Sequence, residues 1–332
     1  MSRPLLWSFN VSKQSLSKAL FLIGLSSGLL CGTLSPARAQ TPPSLTALLK
    51  DCTDKANAGD NTAAFNAVLK LAEALGKAPL PEVKEVLPSI LQAVDDKNPT
   101  VRTLALSSIV AIQSRSNPDH TLRGDAQPLL EPEIPRIASH LTDDDTHIRS
   151  TTATVLGGFG NKSPDTVVPP LLAYLKRDDA VSSVGSGVVF ELVRIAPQRP
   201  AVAADIIAFL DRPNQTPECL TSSINAIAHA QIQNEEIDTD IVHHLNTGNP
   251  TVRVAIIRDL PELELPEEVF TTTRARLRQI ASNEQEDTSV RAVAKTILPC
   301  WVNDRHKPCP TFILPPPAPS STSGPGEQNA AL

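Results

Sequence analysis

The sequence predicts an all-α protein, a right-handed α-solenoid (α-α superhelix) of about seven helix pairs. Three observations predict it: a short turn motif recurs along the chain, apolar residues return at helical spacing around each copy, and aromatics are scarce. Apolar residues make up 41% of the chain and aromatics only 3%. The core therefore has to be built from Leu, Ile, Val and Ala. That suits thin helix-on-helix layers better than a sheet sandwich, where aromatic and β-branched residues are enriched.

The turn motif is clearest in four places: Asn98-Pro-Thr-Val101-Arg102, Asp145-Thr-His-Ile148-Arg149, Asn249-Pro-Thr-Val252-Arg253 and Asp287-Thr-Ser-Val290-Arg291. Weaker copies lie at Asp179 to Ser182, Thr216 to Leu220 and Asp60 to Ala64. Arg102 to Arg291 spans 189 residues and five steps, a mean period near 38. A period near 40 with two helices per unit marks a helical repeat array.

The chemistry of each copy starts a helix. Asn98 or Asp145 accepts an N-terminal backbone N–H, and Pro99 or Pro250 follows where its missing donor costs nothing. Val101, Leu104, Ala105 and Ile109 then recur at helical spacing, as do Val86, Leu87, Ile90, Leu91 and Val94 in the helix before. Pairs are expected at 44–76, 81–113, 129–159, 164–196, 198–230, 237–260 and 266–298, each boundary fixed to about four residues. The solenoid thus occupies 40–299, followed by a C-terminal cap over 300–309 and a Pro-rich tail over 310–332.

An Asp or Asn, a polar pair and then Val-Arg resembles the start of the second helix in HEAT repeats, including the HEAT-like repeats of the PBS-lyase type. The resemblance covers roughly residues 44–298. It implies pairs too thin to bury their own apolar stripe, stacked into one continuous core. It also implies a curved superhelix whose second helices line a concave, partner-binding side. The arginines then read as a structural ladder between neighbouring units, with Asp96 and Asp143 each six residues before an Arg. The ladder set is Asp96, Arg102, Asp143, Arg149, Arg253 and Arg291, and Arg's planar fork suits such bridging.

The first residues read as an export signal. Arg3, Lys13 and Lys18 precede the apolar run Ala19–Leu34, and Ala37-Arg38-Ala39 offers small residues for cleavage between Ala39 and Gln40. The run is about 16 residues, short of the roughly 20 that span a bilayer. An uncleaved N-terminal anchor is the alternative. Removing residues 1–39 leaves 26 basic and 36 acidic side chains, a net charge of −10. Such a chain repels phosphate backbones, and with only Trp301 and Tyr174 beside its phenylalanines it offers few stacking platforms. Nucleic acid is excluded as a partner, as is stable membrane insertion after cleavage. The expected location is the periplasm, the extracellular space or an equivalent lumen.

Export places the remaining cysteines in an oxidising setting. A Cys300–Cys309 bridge would tie down the C-terminal edge, and closing so short a loop stabilises by about 2–3 kcal/mol. Free thiols are the alternative. Cys52 and Cys219 sit in the first and fifth pairs, on the order of 40 Å apart at the usual helix spacing. A disulfide needs Cα atoms within about 7 Å, so these two are expected as buried core residues.

No catalytic, cofactor or metal constellation emerges. The seven histidines include no His-Glu dipeptide, unlike the iron-binding HEAT-repeat family that resembles deoxyhypusine hydroxylase. His243 and His244 are adjacent and diverge on a helix. Gly157-Gly158-Phe159-Gly160 reads as a glycine helix stop, and Gly185-Ser186-Gly187 as a point of close helix packing. The expectation is a non-catalytic scaffold, without cofactors, that binds a protein partner through the concave face. The alternative is phycobilin-lyase-like handling of a chromophore or cofactor on a partner protein.

Overall fold

Asp60, Asn98, Asp145, Thr216, Asn249 and Asp287 each start a helix by accepting backbone N–H groups on a side-chain oxygen. Typical bonds are 2.9 Å from the Thr100 amide to Asn98 and 2.7 Å from the His147 amide to Asp145. These caps fix the start of six second helices; the fourth second helix, after Ser182, has no such side-chain bond. In this computed structural model the described residues are 43–117, 121–196, 199–230 and 234–301. The export signal, the Ala39–Gln40 junction, Cys309 and the Pro-rich tail lie outside them.

Among the described residues, seven helix pairs follow one another. The first two are α1 (Leu45–Asn57) with α2 (Asn61–Lys77), and α3 (Leu80–Val94) with α4 (Pro99–Gln113). In the third, the first helix is broken into α5 (Gln127–Leu130) and α6 (Ile134–Ser139), joined and followed by 3-10 turns, and pairs with α7 (Thr146–Phe159). Then come α8 (Pro164–Leu175) with α9 (Ser183–Ile195), and α10 (Pro200–Leu210) with α11 (Pro217–His229). The last two are α12 (Glu235–His243) with α13 (Pro250–Asp259), and α14 (Glu267–Ser282) with α15 (Thr288–Trp301). Among the described residues the sole β feature is an isolated antiparallel bridge between Ser116 and Leu122.

The second helices stack in order, α2 on α4, α7, α9, α11, α13 and α15, more closely than the first helices meet each other. One apolar core runs from Leu45 to Trp301, dominated by Leu, Ile, Val and Ala. The second helices thus form the tighter layer of this all-α solenoid.

Two local expectations need correcting. The Gly157–Gly160 run is no helix stop of the left-handed kind: α7 continues through Gly157 and Gly158 and is capped by Gly160 at φ −54°. Space explains these glycines. A Cβ on Gly157 would lie 1.9 Å from a Glu191 oxygen, and one on Gly160 would lie 2.1 Å from Ile195 Cγ1. The last helix also extends to Trp301, so Cys300 lies inside its final turn and not beyond it. Burial of Trp301 edge-on against Phe270, with ring centroids 4.6 Å apart, holds that turn in place.

At Gly185 an added Cβ would meet the Ala180 carbonyl oxygen at 2.0 Å, which is the close packing expected there; Gly187 faces open space.

Candidate functional site

The turns between first and second helices form one edge of the array. Arg102, fourth residue of α4, donates to the Asp96 and Lys97 carbonyls at 2.9 and 3.2 Å. Its other face grips the carboxylate of Asp143 in the next unit, with Nη2 and Nε at 3.0 and 2.9 Å. Burial pushes the Asp143 carboxyl up, but the bonds from Arg102 and the Asp145 amide outweigh it and hold the group below its ordinary range. Asp96 thus contributes its backbone to Arg102, while its carboxylate accepts the Asn98 amide at 2.8 Å.

Arg149 repeats only half of this pattern. It bonds the Asp143 and Asp144 carbonyls and Thr146, while the next unit's Asp179 is forked by Arg177. Arg253 makes a two-pronged pair with Glu286, both bonds at 2.7 Å, and that guanidinium holds the Glu286 carboxyl below its ordinary range. Arg291, in the last unit, reaches the Asn283 and Glu284 carbonyls. Units four and five carry Ser186 and Leu220 at the arginine's position. There Arg212 reaches back to the carbonyls of Leu175 and Arg177 and lies over the Phe209 ring, while Cys219 Sγ donates to Ser182 O.

A second row runs along the tighter layer. The fifth residues of the second helices are Phe65, Thr103, Ser150, Gly187, Thr221, Val254 and Ala292, and none is buried. The ninth residues are Leu69, Ser107, Thr154, Glu191, Asn225, Arg258 and Thr296, of which only Glu191 is buried. The row is apolar at its N-terminal end, where Phe65 and Leu69 are 62% and 54% exposed one helical turn apart. Small hydroxyl groups fill units two and three. Charge enters only further on, at Glu191 with Arg194 (2.6 Å) and at Arg258 with Asp259 and Asn225. Glu191 sits in the space left by Gly157, and burial raises its carboxyl above the usual range despite Arg194.

The first helices meet through side chains at their C-terminal ends. Asp95 caps α3 and receives Arg136 at 2.5 Å and His140 Nε2 at 2.9 Å from the next unit. Burial raises the Asp95 carboxyl, yet these partners bring it below its ordinary range. Lys176, which caps α8, pairs with Asp205 at 3.0 Å. Asp211, which caps α10, faces His244 and Asp240. Sequence reading missed this last group, because its members are scattered over 34 residues and only the stacking of units five and six unites them. His243 is exposed and lies apart from it.

Cys52 and Cys219 are buried free thiols, and burial raises both, that of Cys52 to about 11. Cys300 is disulfide-bonded.

The HEAT repeat family profile matches residues 86–116, which is most of the second unit. No curated protein matches the sequence. Among solved structures the chain is similar to a designed armadillo repeat protein, YIII(Dq)4CqI, at 17% identity and a TM-score of 0.31, covering 76% of this chain and 98% of that one. It is also similar to an engineered protein at 15% identity and TM-score 0.33, covering 77% and 98%. A third is a computationally designed armadillo repeat protein for modular peptide recognition, at 16% identity and TM-score 0.30, covering 76% and 98%. The stacked helix pairs define this chain as an all-α solenoid, with the HEAT repeat profile matched in its second unit.

Proposed function

We propose that this protein is an exported, non-catalytic scaffold that binds a protein partner along the inner face of its second helices. The observation that carries the reading is the row at their fifth and ninth positions, open except at Glu191 and headed by Phe65 and Leu69. Large apolar side chains left in water at one end of a repeat surface suit a docking anchor. The hydroxyl groups that follow can bond a partner's backbone without demanding charge. Rigid stacking keeps such a row in register, so little ordering cost falls on binding.

The test is affinity capture from native envelope extract with the secreted form of the full chain, read by mass spectrometry. A stoichiometric protein partner that is lost on Phe65→Asp with Leu69→Asp, while helicity is kept, supports the reading. A partner retained by that variant but lost on changes to the outer helices overturns the choice of face. Fractionation and N-terminal sequencing test export: Gln40 as the first residue of a periplasmic or secreted form is expected. An intact Met1 on a cytoplasmic form would rule export out.

A further inference from the structure

Units three and six share a register that brings their first helices into direct correspondence. His140 opens His-Leu-Thr and precedes Arg149 by nine residues; His244 opens His-Leu-Asn and precedes Arg253 by nine. Both histidines cap the first helix and begin a 3-10 turn. Both face an aspartate that caps the first helix of the preceding unit, Asp95 or Asp211. One turn before the histidine, however, unit three has Arg136 and unit six has Asp240.

In unit three that arginine supplies the positive charge. Its Nε and Nη2 lie 2.7 and 2.5 Å from Asp95 Oδ2, and His140 takes the other carboxylate oxygen. In unit six the arginine is replaced by a second carboxylate, and the three groups spread apart. His244 Nε2 lies 3.5 Å from Asp211 Oδ1 and 3.7 Å from Asp240 Oδ2, and all three donor atoms fall within 4.8 Å of one another. Those separations are too long for hydrogen bonds. Asp240 Oδ2 and His244 Nε2 are nevertheless shut off from solvent without a hydrogen-bond partner. Arg212 does not supply the charge, because its guanidinium is committed to the Leu175 and Arg177 carbonyls.

We propose that Asp211, Asp240 and His244 form a divalent transition-metal site, best suited to Zn2+, that clasps units five and six where Arg136 clasps units two and three. Two ligands about 2.1 Å from a tetrahedral ion stand about 3.4 Å apart, close to the spacings here. Two carboxylates and one neutral imidazole are a borderline donor set that zinc accepts. The half-open side at Asp211, 58% exposed, leaves the fourth position to water. An ion there would answer both the unpaired buried atoms and the repulsion between two acids at a junction that elsewhere joins opposite charges.

The test titrates chelator-stripped full-length protein with Zn2+ by calorimetry, and with Co2+ as a spectroscopic probe. One saturating equivalent is expected, together with a zinc-dependent rise in thermal midpoint. Asp240→Arg, which copies unit three, should abolish that equivalent and the rise while keeping helicity and a metal-free midpoint at or above the parent's. If that variant fails to fold, Asp240→Asn provides the comparison, with affinity expected to fall at least tenfold. No saturable equivalent in the parent would assign the triad to a bridging water and overturn the site. So would an equivalent that survives both substitutions.

Discussion

Units two and three differ from units four and five in how equivalent turns are joined. Between two and three, Arg102 spans the gap to the next unit's carboxylate, and His140 ties Asp95 and Asp143 into the same cluster. Between four and five no arginine starts the second helix; the units close up through Gly185 against the Phe209 ring and through Arg212 bonding two carbonyls. One junction is held by paired charge and the other by shape and backbone acceptors. A repeat fold keeps its stacking as long as each interface has some way to satisfy its turn, and it need not be the same way.

Removing one half of the paired junction should show the largest effect. Arg102→Ala leaves the nearly buried Asp143 carboxylate without its counter-charge, and a loss of about 3 kcal/mol is expected from urea unfolding. Arg149→Ala, the same residue in the same motif but bonded only to carbonyls and Thr146, should lose about 1 kcal/mol. Equal losses would mean that the pair to Asp143 adds nothing and that the contrast between junctions fails.

At the shape-held junction, Gly185→Ala puts a methyl 2.7 Å from the Phe209 ring of unit five and 2.0 Å from the Ala180 backbone oxygen of its own unit, which cannot rotate away. A cost of about 2 kcal/mol is expected, whereas Gly187→Ala, which faces open space, should be neutral or slightly stabilising in its helix. A neutral Gly185→Ala would show that the fourth unit is looser than its packing indicates.

A smaller effect separates the sixth unit from the rest by pH. Asp238 is buried, accepts the Glu264 amide at 3.1 Å, and burial pushes its carboxyl up to about 7. Its folded value lies above its unfolded one, so the associated stability is complete below about pH 4 and declines as pH rises toward 7. Asp238→Asn should therefore match the parent near pH 4 and exceed it in stability at pH 8. Calorimetric midpoints at the two pH values check this, and a constant difference would show that Asp238 does not titrate in that window.

The smallest expected change is at Asp96. Its carboxylate accepts one part-buried amide and no arginine, so Asp96→Ala should cost about 1 kcal/mol, well below Asp143→Ala. The two aspartates occupy the same place in the motif, and unfolding midpoints rank them. A reversed order would mean that Asp96 has the bridging role in solution.

The sequence by itself determined the array. Caps such as Asn98 and Asp145, prolines at first helical positions and apolar residues at helical spacing are local signals, and they placed seven pairs within a few residues. It also marked Arg102 and Asp143, because the motif repeats them. What only the tertiary structure decided is which repeated residues meet. Arg102 and Arg149 have the same neighbours in sequence, yet one finds a carboxylate in the next unit and the other does not, since Asp179 is taken by Arg177. Gly157 looked like a stop because a helix end and a close approach call for the same residue; only the position of Glu191 distinguishes them. Asp211, Asp240 and His244 are scattered over 34 residues, and their meeting depends on how two helix ends stack. Helix formation is governed by neighbours within about four residues, whereas the partner of a side chain at a repeat junction lies some 26–45 residues away. That distance is set by packing.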